Sequence, residues 1–178
     1  MAPQDLTRPT DVRVDVPGPV TLRPIADADR AFVLELNQES VHFLAPMDDV
    51  HLTRLLGWAT FAEIAEQDGE RVGFVLLFAS GSAYDGLNYA WFSERYDDFL
   101  YLDRIVIAAA HRRAGHASAI YDLVEQRHAR IALEVNIVPP NDASLAFHRG
   151  RGYGRAGERA SDDGTHVVEM MIRELPGL

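Results

Sequence analysis

The stretch Arg112-Arg113-Ala114-Gly115-His116-Ala117-Ser118 lies between a hydrophobic run and an amphipathic one, the position of a strand-to-helix turn. Small residues at Ala114, Gly115 and Ala117 let a ligand approach the backbone. The free N–H groups and positive dipole end of the helix that follows attract phosphate oxygens. The turn therefore reads as an anion cradle, with an unliganded polar turn as the bland alternative. It is not a nucleotide-hydrolysing loop, because no Gly-Lys-Ser/Thr follows, and it lacks the three-glycine spacing of a dinucleotide site. Groups able to move a proton stand nearby in sequence: Asp103, Glu134 and His148. Asp103, on the run just before the cradle, ranks ahead of Glu134 as a base, its alternative role being an ion pair with Arg104. A structural role is the alternative for Glu134, and simple helix packing for His148. An imidazolium titrates near neutrality and can give up a proton.

The elements that must position these groups follow from periodicity and turn signals. Val20 to Pro24 alternates like a short edge strand, and Asp27 to Asn37 reads as an amphipathic helix capped by Asp27. A second helix is expected around residues 50–57. Two apolar runs, Trp58 to Ala65 and Val72 to Ala79, flank Asp68-Gly69 and predict an antiparallel hairpin. Ser80 to Asp98 reads as a long loop with at most one helical turn. Its aromatic and polar residues, Tyr89 and Trp91 among them, suit the wall of a small-molecule pocket. Phe99 to Ile107 is a strand whose Tyr101, Asp103, Ile105 and Ile107 share a face by the two-residue period. A helix from Gly115 to Arg130 and a strand from Ile131 to Ile137 complete a β-α-β unit. Asn141 caps another helix to about Arg149. Strands from Tyr153 and from His166 meet at Asp162-Asp163-Gly164. Strands that first pair locally and then alternate with helices indicate an α/β, or layered α+β, fold around a mixed sheet.

Composition narrows the function classes. The 178 residues fit one core, expected over residues 20–178 behind a lead-in of residues 1–19. No run approaches the ~20 apolar residues of a membrane span, and the prolines near the start leave no signal core, so a cytoplasmic setting is expected. A net charge of −10 repels nucleic acid. The absence of cysteine rules out disulfides, thiolate metal sites and an acyl-cysteine step. The histidines show no metal-ligand spacing, so no metal is expected.

Arg112, Gly115 and Ala117 match the Arg/Gln-x-x-Gly-x-Gly/Ala loop of the GNAT acyltransferases. Asn141-Asp142-Ala143-Ser144-Leu145-Ala146-Phe147-His148, followed by Gly152-Tyr153, is similar to that superfamily's late helix and strand. The chain resembles this superfamily from about Thr21 to Ile172. Phe99 to Val106 and Glu134 to Asn141 look most like a bacterial subgroup of predicted acetyltransferases. The resemblance implies a mostly antiparallel sheet with a central parallel pair splayed to admit acetyl-CoA. It implies coenzyme contacts at Ile105, Val106 and Ile107, along the loop Arg112 to Ser118 (His116 included), and at Asn141, Ser144 and Phe147. The acceptor is expected near Asn37, Tyr89, Trp91 and Tyr101. The resemblance also shows a departure, since His148 stands where the family often has a tyrosine that protonates the leaving thiolate.

The expected reaction is direct acetyl transfer to a primary amine of a small molecule or peptide in a ternary complex. A non-catalytic acyl-CoA sensor is the principal rival and a purely structural interaction domain a third reading. An edge strand near the C-terminus offers a surface for a homodimer.

Overall fold

The computed structural model describes residues 18–42 and 44–176. Most of the expected lead-in therefore lies outside the described residues. Seven strands form one sheet in the order β1-β2-β3-β4-β5-β7-β6. They span β1 Thr21–Pro24, β2 Phe61–Gln67, β3 Glu70–Ala79, β4 Leu100–Ile107, β5 Arg130–Val138, β6 Gly154–Ala160 and β7 Val167–Glu174. Every pairing is antiparallel except β4 with β5. The helices are α1 Arg30–Glu39, α2 Asp49–Trp58, α3 Leu87–Ser93, α4 His116–Val124 and α5 Asp142–Gly150. The β2–β3 turn is the predicted one: Asp68 (φ 52°) and Gly69 (φ 83°) both adopt the left-handed conformation that a two-residue hairpin requires.

Strand alternation divides the core between the faces of the sheet. Phe74, Leu76 and Phe78 of β3 pack with Val33, Leu52 and Phe92 under α1, α2 and α3. Val75 and Leu77 pack with Ile120, Val124 and Leu145 under α4 and α5. Each fully buried large apolar side chain contributes about 1.5–3 kcal/mol, so both layers are needed to hold the sheet.

Three local expectations change. Asp29, not Asp27, organises the start of α1. After a short 3-10 turn, its buried carboxylate accepts from the Ala26 N–H at 2.9 Å and pairs with Arg23 at 2.6 Å. The supposed loop after Ser80 contains α3, whose Tyr89 and Phe92 face inward one turn apart. Most consequentially, Tyr101, Asp103, Ile105 and Ile107 do not share a face. Leu76 pairs with Arg104 and Leu77 with Leu102, leaving Asp103 unopposed as a β-bulge. One extra residue inverts the alternation. Tyr101 therefore joins the α1–α3 layer, while Ile105 and Ile107 pack on the α4–α5 layer.

Candidate active site

The cradle is built by backbone. Gly115 sits at the N-cap of α4 with φ 85°, and a Cβ there would meet nothing within 4 Å. Glycine is needed for the angle rather than for space. Arg112 Nε donates to the Ile107 carbonyl at 3.0 Å, tying the loop to the end of β4. Arg112 through Gly115 and Ser118 are exposed, although the Arg112 N–H already bonds to the Ala109 carbonyl at 3.4 Å. The His116 ring is buried instead. It meets the His111 carbonyl and the Gln67 side-chain oxygen, each at 2.8 Å, and braces the loop against β2.

Beside the cradle the sheet opens. The parallel register of β4 and β5 covers only Leu100↔Ile131 and Tyr101↔Ala132, and the strands then diverge. The Ala108 N–H bonds back to Val72 at 2.9 Å, so by alternation the peptide groups of Ile105 and Ile107 turn toward the gap. A cavity of about 630 Å³ occupies it, lined by Ile105, Val106, Ile107, Arg112, Asn141 and Ser144 among others. Asn141 caps α5, its side chain accepting from the Ser144 N–H at 3.2 Å.

The same cavity is lined by ionisable groups, one set on each face of the sheet. Toward α3, Glu134 accepts from the Tyr101 hydroxyl at 2.7 Å and from Asn88 Nδ2 at 2.8 Å. Burial, with the charge of Asp103 second, pushes its carboxyl from 4.5 up to about 7. Asp103 is engaged differently, accepting from the Tyr84 hydroxyl at 2.6 Å and pairing with Arg104 Nε at 3.0 Å. Arg104 is itself buried, held further by the Asn37 side chain and the Ala45 carbonyl. Toward α4 and α5, His148 Nδ1 faces the Ser144 carbonyl at 2.7 Å, so that nitrogen carries the hydrogen. Nε2 then accepts from the Tyr121 hydroxyl at 2.6 Å. Burial lowers the imidazole's pKa and raises that of the tyrosine, so both groups are neutral at pH 7.

The profile of the Acetyltransferase (GNAT) family matches residues 28–153. The chain belongs to that family. It is an acetyl-CoA-dependent N-acetyltransferase whose acceptor is an amine. No curated protein matches it by sequence. Its fold is similar to that of Ard1 from Thermoplasma volcanium, at 16% identity and a TM-score of 0.65 over 88% of this chain and 98% of that one. The ribosomal-protein-S18-alanine N-acetyltransferase of Escherichia coli is similar at 16% identity and TM-score 0.63, covering 89% and 96%. An aminoglycoside acetyltransferase solved with coenzyme A is similar at 20% identity and TM-score 0.66, covering 87% and 94%. Membership in a family of transferases gives the sensor reading no support.

A coenzyme with an extended arm and a pyrophosphate fits this acetyltransferase: the gap offers the N–H groups of Ile105 and Ile107, which have no ladder partner on β5, and the exposed start of α4 offers further N–H groups. Of the residues expected at the coenzyme, Ile105, Val106, Ile107, Arg112, Asn141 and Ser144 line the cavity, and Arg113 to Ser118 and Phe147 lie outside its lining. The Phe147 ring packs against Tyr121, with centroids 5.2 Å apart, and does not line the cavity. On the acceptor side only Tyr101 lines it. Asn37 is a buried partner of Arg104. Tyr89 is a core residue whose hydroxyl donates to the Ala79 carbonyl at 2.8 Å. Trp91 lies over Gly157 and stacks with Arg95. Tyr84, Asn88, Tyr121 and Arg159 line the cavity without having been singled out from sequence. For Asn88 a signal existed: the pair Tyr89 and Phe92, three apart and apolar, marks a helix and turns Asn88 to its flank.

Among the described residues no helix is long and apolar enough to cross a membrane.

Proposed function

We propose that the enzyme acetylates a primary amine directly, with Glu134 as the base and the Tyr121–His148 pair as the proton source for the departing thiol. Acetyl-CoA supplies the acetyl group activated as a thioester. The peptide groups of Ile105 and Ile107, Asn141 and Ser144 would hold it in the gap, and the Arg112–Ser118 loop its pyrophosphate. Holding two reactants in register supplies the largest part of the rate. Glu134 takes the proton that the amine loses as its nitrogen bonds to the acetyl carbon. A carboxyl that ionises near neutrality is matched to that task. Asp103, committed to Arg104 and Tyr84, is assigned to hold the bulge in place. On the opposite face the resting pair has its proton on Tyr121, directed at Nε2. As the C–S bond breaks, the Tyr121 hydroxyl gives its hydrogen to the sulfur, and a proton taken up from solvent at Nε2 returns to the phenolate oxygen, so each turnover leaves the pair as it began, while Glu134 releases the amine's proton to solvent.

The observation that carries this reading is the Glu134 carboxyl, half-buried at the parting of the strands and hydrogen-bonded on both oxygens. Steady-state kinetics with acetyl-CoA and an accepted amine test it. Glu134→Gln should lower kcat about a hundredfold with acetyl-CoA KM nearly unchanged, whereas folded Asp103→Asn should keep kcat within about tenfold. The reverse ranking would return the base role to Asp103.

We assign one acyltransferase domain from residue 20 onward and a cytoplasmic setting, on the sequence argument above. The exposed edge of β6 supports association of two copies.

A further inference from the structure

Four charged side chains of the cavity lie toward α3: Asp103, Arg104, Glu134 and Arg159. Asp103 and Arg104 neutralise each other at 3.0 Å, and Arg104 has further close partners. That leaves one acid and one base, Glu134 and Arg159, bridged by a single side chain. Asn88 gives its N–H to Glu134 at 2.8 Å, and its oxygen accepts from Arg159 at 3.3 Å. The only other partner of Arg159 among the described residues is Asp162, also at 3.3 Å and 86% exposed. Both contacts are at the long limit of a hydrogen bond, so the five-donor guanidinium has most of its capacity to spare.

We infer that the acceptor is a free amino acid, with its amine delivered to Glu134 and its carboxylate held by Arg159. The inference rests on Glu134 being the base. A guanidinium fork matches a carboxylate with two parallel hydrogen bonds. The width of one asparagine amide separates the two protein groups, which suits an amine and a carboxylate a few bonds apart on one small molecule. Polyamines and aminoglycosides fit poorly, because a second cation would meet Arg159. A peptide N-terminus fits poorly as well, because its first carbonyl is a neutral amide and cannot offer the guanidinium the charged, two-oxygen partner that a carboxylate does. Leu44 and Leu87 also line the cavity, Leu87 with 55% of its surface exposed, and give an apolar wall for the amino acid's side chain.

The test is a thiol-release assay with acetyl-CoA and matched acceptors. Each protein amino acid is compared with its amide and with the amine left by decarboxylation, and spermidine and a Leu-Gly-Gly peptide are added. The best amino acid should exceed its amide and its amine by tenfold or more in kcat/KM, the range of a hydrogen bond to a charged group. Arg159→Met should collapse that preference to within about threefold through the KM of the acid, and Arg159→Lys should restore part of it. Amides, amines, spermidine or the peptide used as well as the acid by the native enzyme would overturn the inference. So would an Arg159→Met effect equal on every acceptor, or no turnover of any amino acid. If such other amines are acetylated and Glu134→Gln silences them, the base assignment survives while this inference falls. If amino acids are preferred but Glu134→Gln is as fast as native, the base assignment fails alone.

Discussion

Glu134→Gln should make the protein more stable at pH 8 while nearly abolishing its activity. The Glu134 carboxyl is carried from 4.5 to about 7, chiefly by burial. Between those values the folded chain keeps a proton that the unfolded chain has lost, so native stability falls as pH rises through that window. At about 1.4 kcal/mol per pH unit, the loss reaches roughly 3 kcal/mol above pH 7 and vanishes below pH 4.5. Glutamine has no charge to desolvate. Its oxygen can still accept from Asn88, and its N–H can donate to the Tyr101 hydroxyl oxygen, so both contacts are kept, the second with its direction reversed. Urea unfolding followed by circular dichroism at pH 4.5, 6 and 8 should show the variant's advantage growing with pH. At pH 8 the gain should raise Tm by about 2–4 °C per kcal/mol for a chain of this size. A pH-independent difference, or a variant less stable than native at pH 8, would refute the claim that this carboxyl is held neutral at a cost to the fold.

The same ionisation should give native kcat/KM a limb that rises with pH near 7, and the residual rate of Glu134→Gln should lack it. Gly115→Glu should abolish acetyl-CoA binding by calorimetry, since bulk and negative charge enter the phosphate position. Gly115→Ala should cost only about 1 kcal/mol of stability, for the left-handed backbone alone, and keep affinity within about tenfold. Tyr121→Phe and His148→Phe should each lower kcat about a hundredfold, and the double variant should be little worse than either, because the two act as one unit. Full activity in both single variants would remove the pair from the mechanism. Asp103→Asn should cost about 3 kcal/mol in denaturant unfolding, because it leaves the buried Arg104 without its counter-charge.

Local chemistry made much of this molecule legible in its sequence. The Asp68-Gly69 hairpin, the Asn141 cap and the strand-to-helix turn at Arg112–Ala117 each depend on a few adjacent residues, and each formed where those residues stand. What stayed hidden depends on residues far apart. A bulge at Asp103 leaves no mark in the hydrophobic pattern, yet it reverses every side chain beyond it and puts Ile105 and Ile107 on the opposite layer from Tyr101. Tyr89 was distinguished from Asn88 by one position of helical phase in a segment too rich in turn residues to look helical. The partner of His148 is on a different helix, 27 residues away, and periodicity says nothing about such a meeting.

The divergence of β4 from β5 also makes part of the strand a reporter. Beyond Tyr101 the β4 edge has no ladder partner on the β5 side, so the amides of Ile105 and Ile107 lack the protection that a continuous central strand would give. In a rigid sheet core, two such amides should exchange with deuterium orders of magnitude faster than Val106, which bonds into β3. Anything that completes the ladder should slow Ile105 and Ile107 selectively. Backbone exchange at two positions would then read occupancy of the gap directly, without turnover and without knowledge of the acceptor.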